Sequence, residues 1–157
     1  EEIREISQEL PERPPGDFTP RVRPERLATM RWIRARLDDP DVALIDVRTP
    51  DEHTGEDARA ERGGHIPGAV NIDWTANLTE DGRQRFLPAR ELRALYLDAG
   101  ITPDADVTTY CQGGVRAAHT YFALRLLGYP SLRVYDLSWL EWGNDPDVPI
   151  VTVPSAE

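Results

Sequence analysis

The run Val42-Ala-Leu-Ile-Asp-Val47 restricts the fold more than any other stretch of the chain. It is nearly continuous in apolar residues, too short for a full helix, and closed off by Pro40-Asp41 and Thr49-Pro50. A strand with one wet face alternates polar and apolar side chains. This run does not, so it reads as a strand buried on both faces. Such strands belong to parallel sheets, whose crossovers are usually helices. The rest of the chain supplies them. Leu27, Met30, Ile33 and Leu37 recur at helical spacing, with Pro40 beyond. Pro88 suits a first helical turn, Leu92, Leu95 and Tyr96 share one face, and Gly100 fits the position after the helix end. Asp106 to Tyr110 is a further strand, Val115 to Leu127 a mostly apolar helix stopped by Gly128 and Pro130, and Leu132 to Tyr135 a last strand. His65 to Ile72 holds a turn and then a short strand, and Ser138 is placed to cap a short helix through Trp142. Residues 51–64 are polar and contain glycine, so a surface excursion is expected there. Strands alternating with helices make an α/β fold with a mostly parallel sheet.

Composition narrows the chemistry. The 157 residues suit one domain, expected over residues 24–157. Residues 1–23 read as a proline-rich leader or interdomain linker, with a short helix over residues 1–10. All 18 basic residues are arginine, which excludes Schiff bases and P-loop lysines. Cys111 is the single cysteine, so neither an internal disulfide nor a multi-cysteine metal site can form. A free thiol suits a reducing compartment, and a cytoplasmic location is expected. A formal net charge of -10 argues against nonspecific nucleic-acid binding. No apolar run approaches the roughly 20 residues of a membrane helix.

The chemistry concentrates in Tyr110-Cys-Gln-Gly-Gly-Val-Arg116, a strand, a tight loop and a helix start. Ligands of open α/β sheets bind at the carboxyl ends of strands. Adjacent glycines let backbone N–H groups turn inward, and such a nest beside a helix N-terminus stabilises an anion. Here the natural anion is the thiolate of Cys111, with Arg116 adding a fixed positive charge. A buried structural cysteine is the bland alternative. Cysteine phosphatases place five residues between their cysteine and arginine; here four separate Cys111 from Arg116. The tighter ring fits a sulfur atom carried on the thiolate better than a tetrahedral phosphate.

The chain resembles the rhodanese family of thiosulfate and mercaptopyruvate sulfurtransferases. Leu44-Ile-Asp-Val-Arg48, Gly64-His-Ile-Pro-Gly-Ala-Val-Asn71, Glu91-Leu-Arg-Ala-Leu95, Tyr110-Cys111 and Tyr135-Asp136 with Ser138-Trp139 and Glu141-Trp-Gly143 follow in the family's order. The resemblance is nearest to the C-terminal catalytic half of tandem enzymes. It implies a doubly wound parallel sheet of about five strands flanked by helices. It implies sulfur transfer through a persulfide on Cys111, from thiosulfate or a persulfide donor to cyanide or a thiol, with no cofactor and no metal. Loop N–H groups of Gln112, Gly113, Gly114, Val115 and Arg116 would hold the persulfide. A second rhodanese-like domain or a homodimer is the implied macromolecular partner; nucleic acid and membrane are not.

Other residues carry paired readings. Arg48 stands where the family places a substrate-side arginine, or it pairs with Asp46 or Glu52. Asp46 is expected to bond loop backbone, His65 to fix a turn, His119 to pack on its helix, and Trp139 and Trp142 to line core or pocket. Arg62, Arg83 and Arg85 are expected as surface charges. Mercaptopyruvate enzymes carry arginine at the position of Glu52, which would instead repel a carboxylate. Neutral Gln112 and Gly113 leave the attraction for a dianion to Arg116, Arg48 and the backbone, so modest thiosulfate affinity is expected. Leu137, commonly glycine in the family, adds bulk beside the pocket. The competing functions are a noncatalytic rhodanese-like interaction module, a 3-mercaptopyruvate sulfurtransferase, and a phosphatase or arsenate reductase, which the loop length disfavours.

Overall fold

The computed structural model describes residues 16–153. The short helix expected over residues 1–10 lies outside the described residues. Among the described residues four strands form one parallel sheet: β1 (Val42–Asp46), β2 (Val70–Asn71), β3 (Asp106–Tyr110) and β4 (Leu132–Val134), in the order β2-β1-β3-β4. The sheet is thus one strand smaller than the five expected. Where a fifth strand would lie against β4, a single parallel bridge joins Leu27 to Val134. It cannot lengthen, because a 3-10 turn over Pro24–Arg26 precedes it and Thr29 caps the next helix at once.

That helix, α1 (Met30–Arg34), is shorter than the Leu27-to-Leu37 periodicity predicts. Thr29 Oγ1 accepts from the Trp32 N–H and sets its start. The stretch expected as a plain excursion contains α2 (Pro50–Thr54), which is a correction. Its start carries a capping box: Thr49 accepts from the Glu52 N–H, Glu52 accepts from the Thr49 N–H, and Pro50 occupies the first turn. The remaining helices are α3 (Ala89–Asp98), α4 (Val115–Leu126) and α5 (Ser138–Trp142).

Both faces of the sheet are covered, as expected for a doubly wound fold. Ile45, Val107 and Cys111 pack with Leu92 and Tyr96 of α3 and Ala117, Ala123 and Leu124 of α4. On the opposite face Leu44 and Tyr110 pack with Ile33 of α1 and Trp139 and Trp142 of α5. The continuous apolar character of β1 follows, since successive side chains enter different cores. The chain runs from β1 outward to β2 and then returns across β1 to β3. The crevice at the carboxyl ends of β1 and β3 is therefore the switch point where ligands of such sheets bind. Among the described residues no helix is long and apolar enough to cross a membrane.

Candidate active site

Cys111 follows β3 directly at this switch point and is 1% exposed. The loop above it is fastened mainly by α5. The N–H groups of Cys111 and Gly114 both donate to Ser138 Oγ, at 3.1 and 3.3 Å, and the Ser138 hydroxyl donates to the Tyr135 carbonyl at 2.7 Å. The carbonyls of Cys111 and Gln112 accept from the N–H groups of Trp139 and Leu140. Ser138 was expected to cap its own helix. Its hydroxyl instead caps the cysteine loop, and the N-cap of α5 is Leu137, without a side-chain bond. Ser138 holds φ at +52°, a left-handed conformation uncommon outside glycine. That strain is sustained by three hydrogen bonds to one hydroxyl.

The two glycines differ in purpose. Gly114 has φ +83°, and a Cβ there would collide with the Asp136 carboxylate and stand 2.9 Å from the Asp136 carbonyl oxygen. Gly113 faces open space, and a Cβ there would touch nothing within 4 Å. One glycine closes the loop against Asp136; the other leaves its roof uncovered. Beyond Gly114 the first N–H groups of α4, from Val115 onward, have no intrahelical acceptor. Of the donors expected from Gln112 to Arg116, that of Gly114 is engaged by Ser138.

Arg116 makes a bidentate pair with Glu52, its two terminal nitrogens 2.7 and 2.8 Å from the carboxylate oxygens. Glu52 is 1% exposed and Arg116 20%. The hydrogen bond to Glu52 is the chief reason the Arg116 pKa lies above its ordinary value, and the electrostatic influence of the nearby Cys111 adds to it. Burial would raise the Glu52 carboxyl, but bonds from Arg116 and Thr49 outweigh it and hold the group below its usual range. Glu52 therefore presents no free charge to repel a carboxylate. It takes up the charge of Arg116.

Of the two readings of Arg48, the structure holds the ion pair. Its guanidinium is buried, donates to both oxygens of Asp46 at 2.9 and 2.6 Å and to the Gly64 carbonyl, and stacks on Trp139. No surface remains to offer a substrate. Asp46 also accepts from the Arg48 N–H, the Tyr110 hydroxyl and His53 Nδ1, so it bonds backbone as expected. His65 fixes its turn through Nδ1–H to the His53 carbonyl and through paired backbone bonds with Val151. His119 packs between Trp74 and Phe86. Trp139 and Trp142 are wholly in the core. Arg83 and Arg85 lie on the surface, but Arg62 does not behave as a free surface charge: its guanidinium donates to the carbonyls of Trp142, Asp145 and Val148. Leu137 is exposed on the rim of a hollow shared with Leu27, Thr29 and Glu141.

Among the described residues no cluster of three or more His, Cys, Asp or Glu side chains could hold a metal. What the residues assemble is a thiol at a strand end, a donor-lined loop and a fixed guanidinium. Residues 29–145 match the Rhodanese-like domain family. The chain belongs to that family. The thiosulfate sulfurtransferase of Azotobacter vinelandii is 39% identical over 149 residues, which cover 95% of this chain and 54% of that protein. The sulfur carrier protein TtuD of Thermus thermophilus is 42% identical over 163 residues, 96% of this chain and 56% of that one. The chain thus spans about half the length of the curated relatives it matches. A solved structure of the anaerobic ergothioneine biosynthesis enzyme from Chlorobium limicola with trimethyl histidine superposes with a TM-score of 0.77 at 29% identity, covering 84% of this rhodanese-like chain and 33% of that one.

Proposed function

We propose that this rhodanese-like domain is a sulfurtransferase that carries a sulfane sulfur as a persulfide on Cys111. The observation that carries the proposal is the setting of the thiol. A cysteine that merely fills space has no use for a guanidinium locked beside it and a helix N-terminus above it. In the first step the Cys111 thiolate attacks the outer sulfur of thiosulfate. A sulfur–sulfur bond forms at Cys111, the bond to the sulfonate sulfur breaks, and sulfite leaves with the electron pair. The charge now on the outer persulfide sulfur is held by the N–H groups of Gln112, Gly113, Val115 and Arg116, with Gly114 contributing the turn. A thiol or cyanide then takes that sulfur and regenerates the thiolate.

Thiosulfate, or a persulfide donor, is favoured over 3-mercaptopyruvate because position 52 carries a glutamate, bonded to Arg116, where mercaptopyruvate enzymes carry an arginine for the substrate carboxylate. The names of the relatives, one a thiosulfate sulfurtransferase and one a sulfur carrier protein, support the same chemistry. The proposal takes residues 24–157 as the catalytic domain, with a second rhodanese-like domain or a second copy as its partner. A reducing compartment such as the cytoplasm would keep the lone thiol free. Sulfite released from thiosulfate in the presence of cyanide or a thiol is the test. Wild type releases it catalytically and Cys111→Ser does not; equal release by both would contradict a Cys111 carrier.

A further inference from the structure

We infer that Arg59 is the docking cation for the anionic sulfur donor, an inference that rests on the thiosulfate reading of Cys111. A dianion entering the crevice needs a cation it can pair with, and the two arginines expected to serve are occupied. Arg48 is buried on Asp46, and Arg116 is locked to a buried Glu52. Breaking either pair would strand a buried carboxylate, so neither guanidinium exchanges partners cheaply.

Arg59 differs on each count. It is 54% exposed, and its Nε is 3.1 Å from Asp57, itself 48% exposed. Such an exposed pair is weak and exchanges for a substrate anion at little cost. Its position is set by the cysteine loop itself. The Gln112 side-chain amide, one residue beyond Cys111, donates to the Arg59 carbonyl at 2.8 Å. The Arg59 guanidinium also reaches to 3.7 Å from the same Glu52 carboxylate that holds Arg116. Glu52 therefore gathers two arginines, one fixed inward toward the thiol and one loose at the rim. A donor met first by Arg59 would pass to the uncovered roof over Gly113. A long exposed side chain at the mouth acts on capture rather than on bond breaking, so it belongs to KM.

Arg59→Gln and Arg59→Lys test this in the 157-residue chain. The side chain is exposed and the Gln112 bond uses only the backbone carbonyl, so both variants keep the fold. Steady-state sulfite release should show KM for thiosulfate raised roughly tenfold in Arg59→Gln, the effect of losing one bond to a charged group, with kcat within about twofold. Arg59→Lys should recover most of the loss. KM should rise with ionic strength in wild type and more weakly in Arg59→Gln. An unchanged KM, or a fall in kcat at constant KM, overturns the docking role while sulfur transfer stands. No sulfite from the wild type at any thiosulfate concentration would remove the donor reading and this inference with it.

Discussion

Ser138 concentrates the logic of the site in one residue. Its hydroxyl satisfies two loop N–H groups, and its positive φ turns the side chain toward β3 rather than along α5. Ser138→Ala leaves both N–H groups buried without their acceptor, a loss of about 1–3 kcal/mol. It also loosens the loop, which α5 then holds only through the backbone bonds of Trp139 and Leu140. Denaturant unfolding should show that loss, and turnover should fall more steeply than stability because the loop donors are no longer aimed at the persulfide. Ser138→Gly relieves the strain at φ +52° without restoring the acceptor, so it should be as inactive as the alanine variant. A glycine variant with wild-type turnover would assign Ser138 to backbone geometry alone.

At the scale of elements, two connections make the site: α5 ties down the cysteine loop, and α2 delivers Glu52 to Arg116. The strands, α3, α4 and the cysteine loop were legible in the sequence because each has a local signature. β1 is a closed apolar run, and Gly100 and Gly128 mark helix ends. The same local signals also carried the family resemblance. Helix α2 was missed although Thr49-Pro-Asp-Glu52 spells a capping box, because the polar stretch after it outweighed four residues. The role of Glu52 was misread for another reason. Its partner lies 64 residues away, and no spacing rule reports a pair closed by the sheet. Ser138 and Arg59 fall in the same class: a hydroxyl and a guanidinium whose meaning comes from a loop remote in sequence. The reduced sheet is a competition that Thr29 wins, turning the chain into α1 before Leu27 can extend a fifth strand.

Over the whole molecule, buried titratable groups link stability to pH in two stages. Burial lowers the pKa of His65 and of His119 below the ordinary 6.5, so the unfolded chain binds those protons first. Stability is full above about 6.5 and declines as pH falls through and below that value. The second stage belongs to carboxylates. Burial would raise Asp46, but bonds from His53 and Arg48 outweigh it and leave the group below its ordinary 3.8. Glu52 is lowered likewise. Their contribution is present above the unfolded values and is lost as pH falls below about 4. Urea midpoints against pH should therefore step down below about 6.5 and again below about 4. His65→Gln should shrink the first step to the share of His119 and leave the second.

Whether Cys111 accepts a sulfur atom decides the account more directly than any rate. Intact-mass measurement of the chain after brief treatment with thiosulfate and removal of excess should show a gain of about 32 Da, one sulfur atom as a persulfide. The gain should map to Cys111, vanish on adding cyanide, and be absent from Cys111→Ser. An unchanged mass for the wild type, or the same gain in Cys111→Ser, would contradict it.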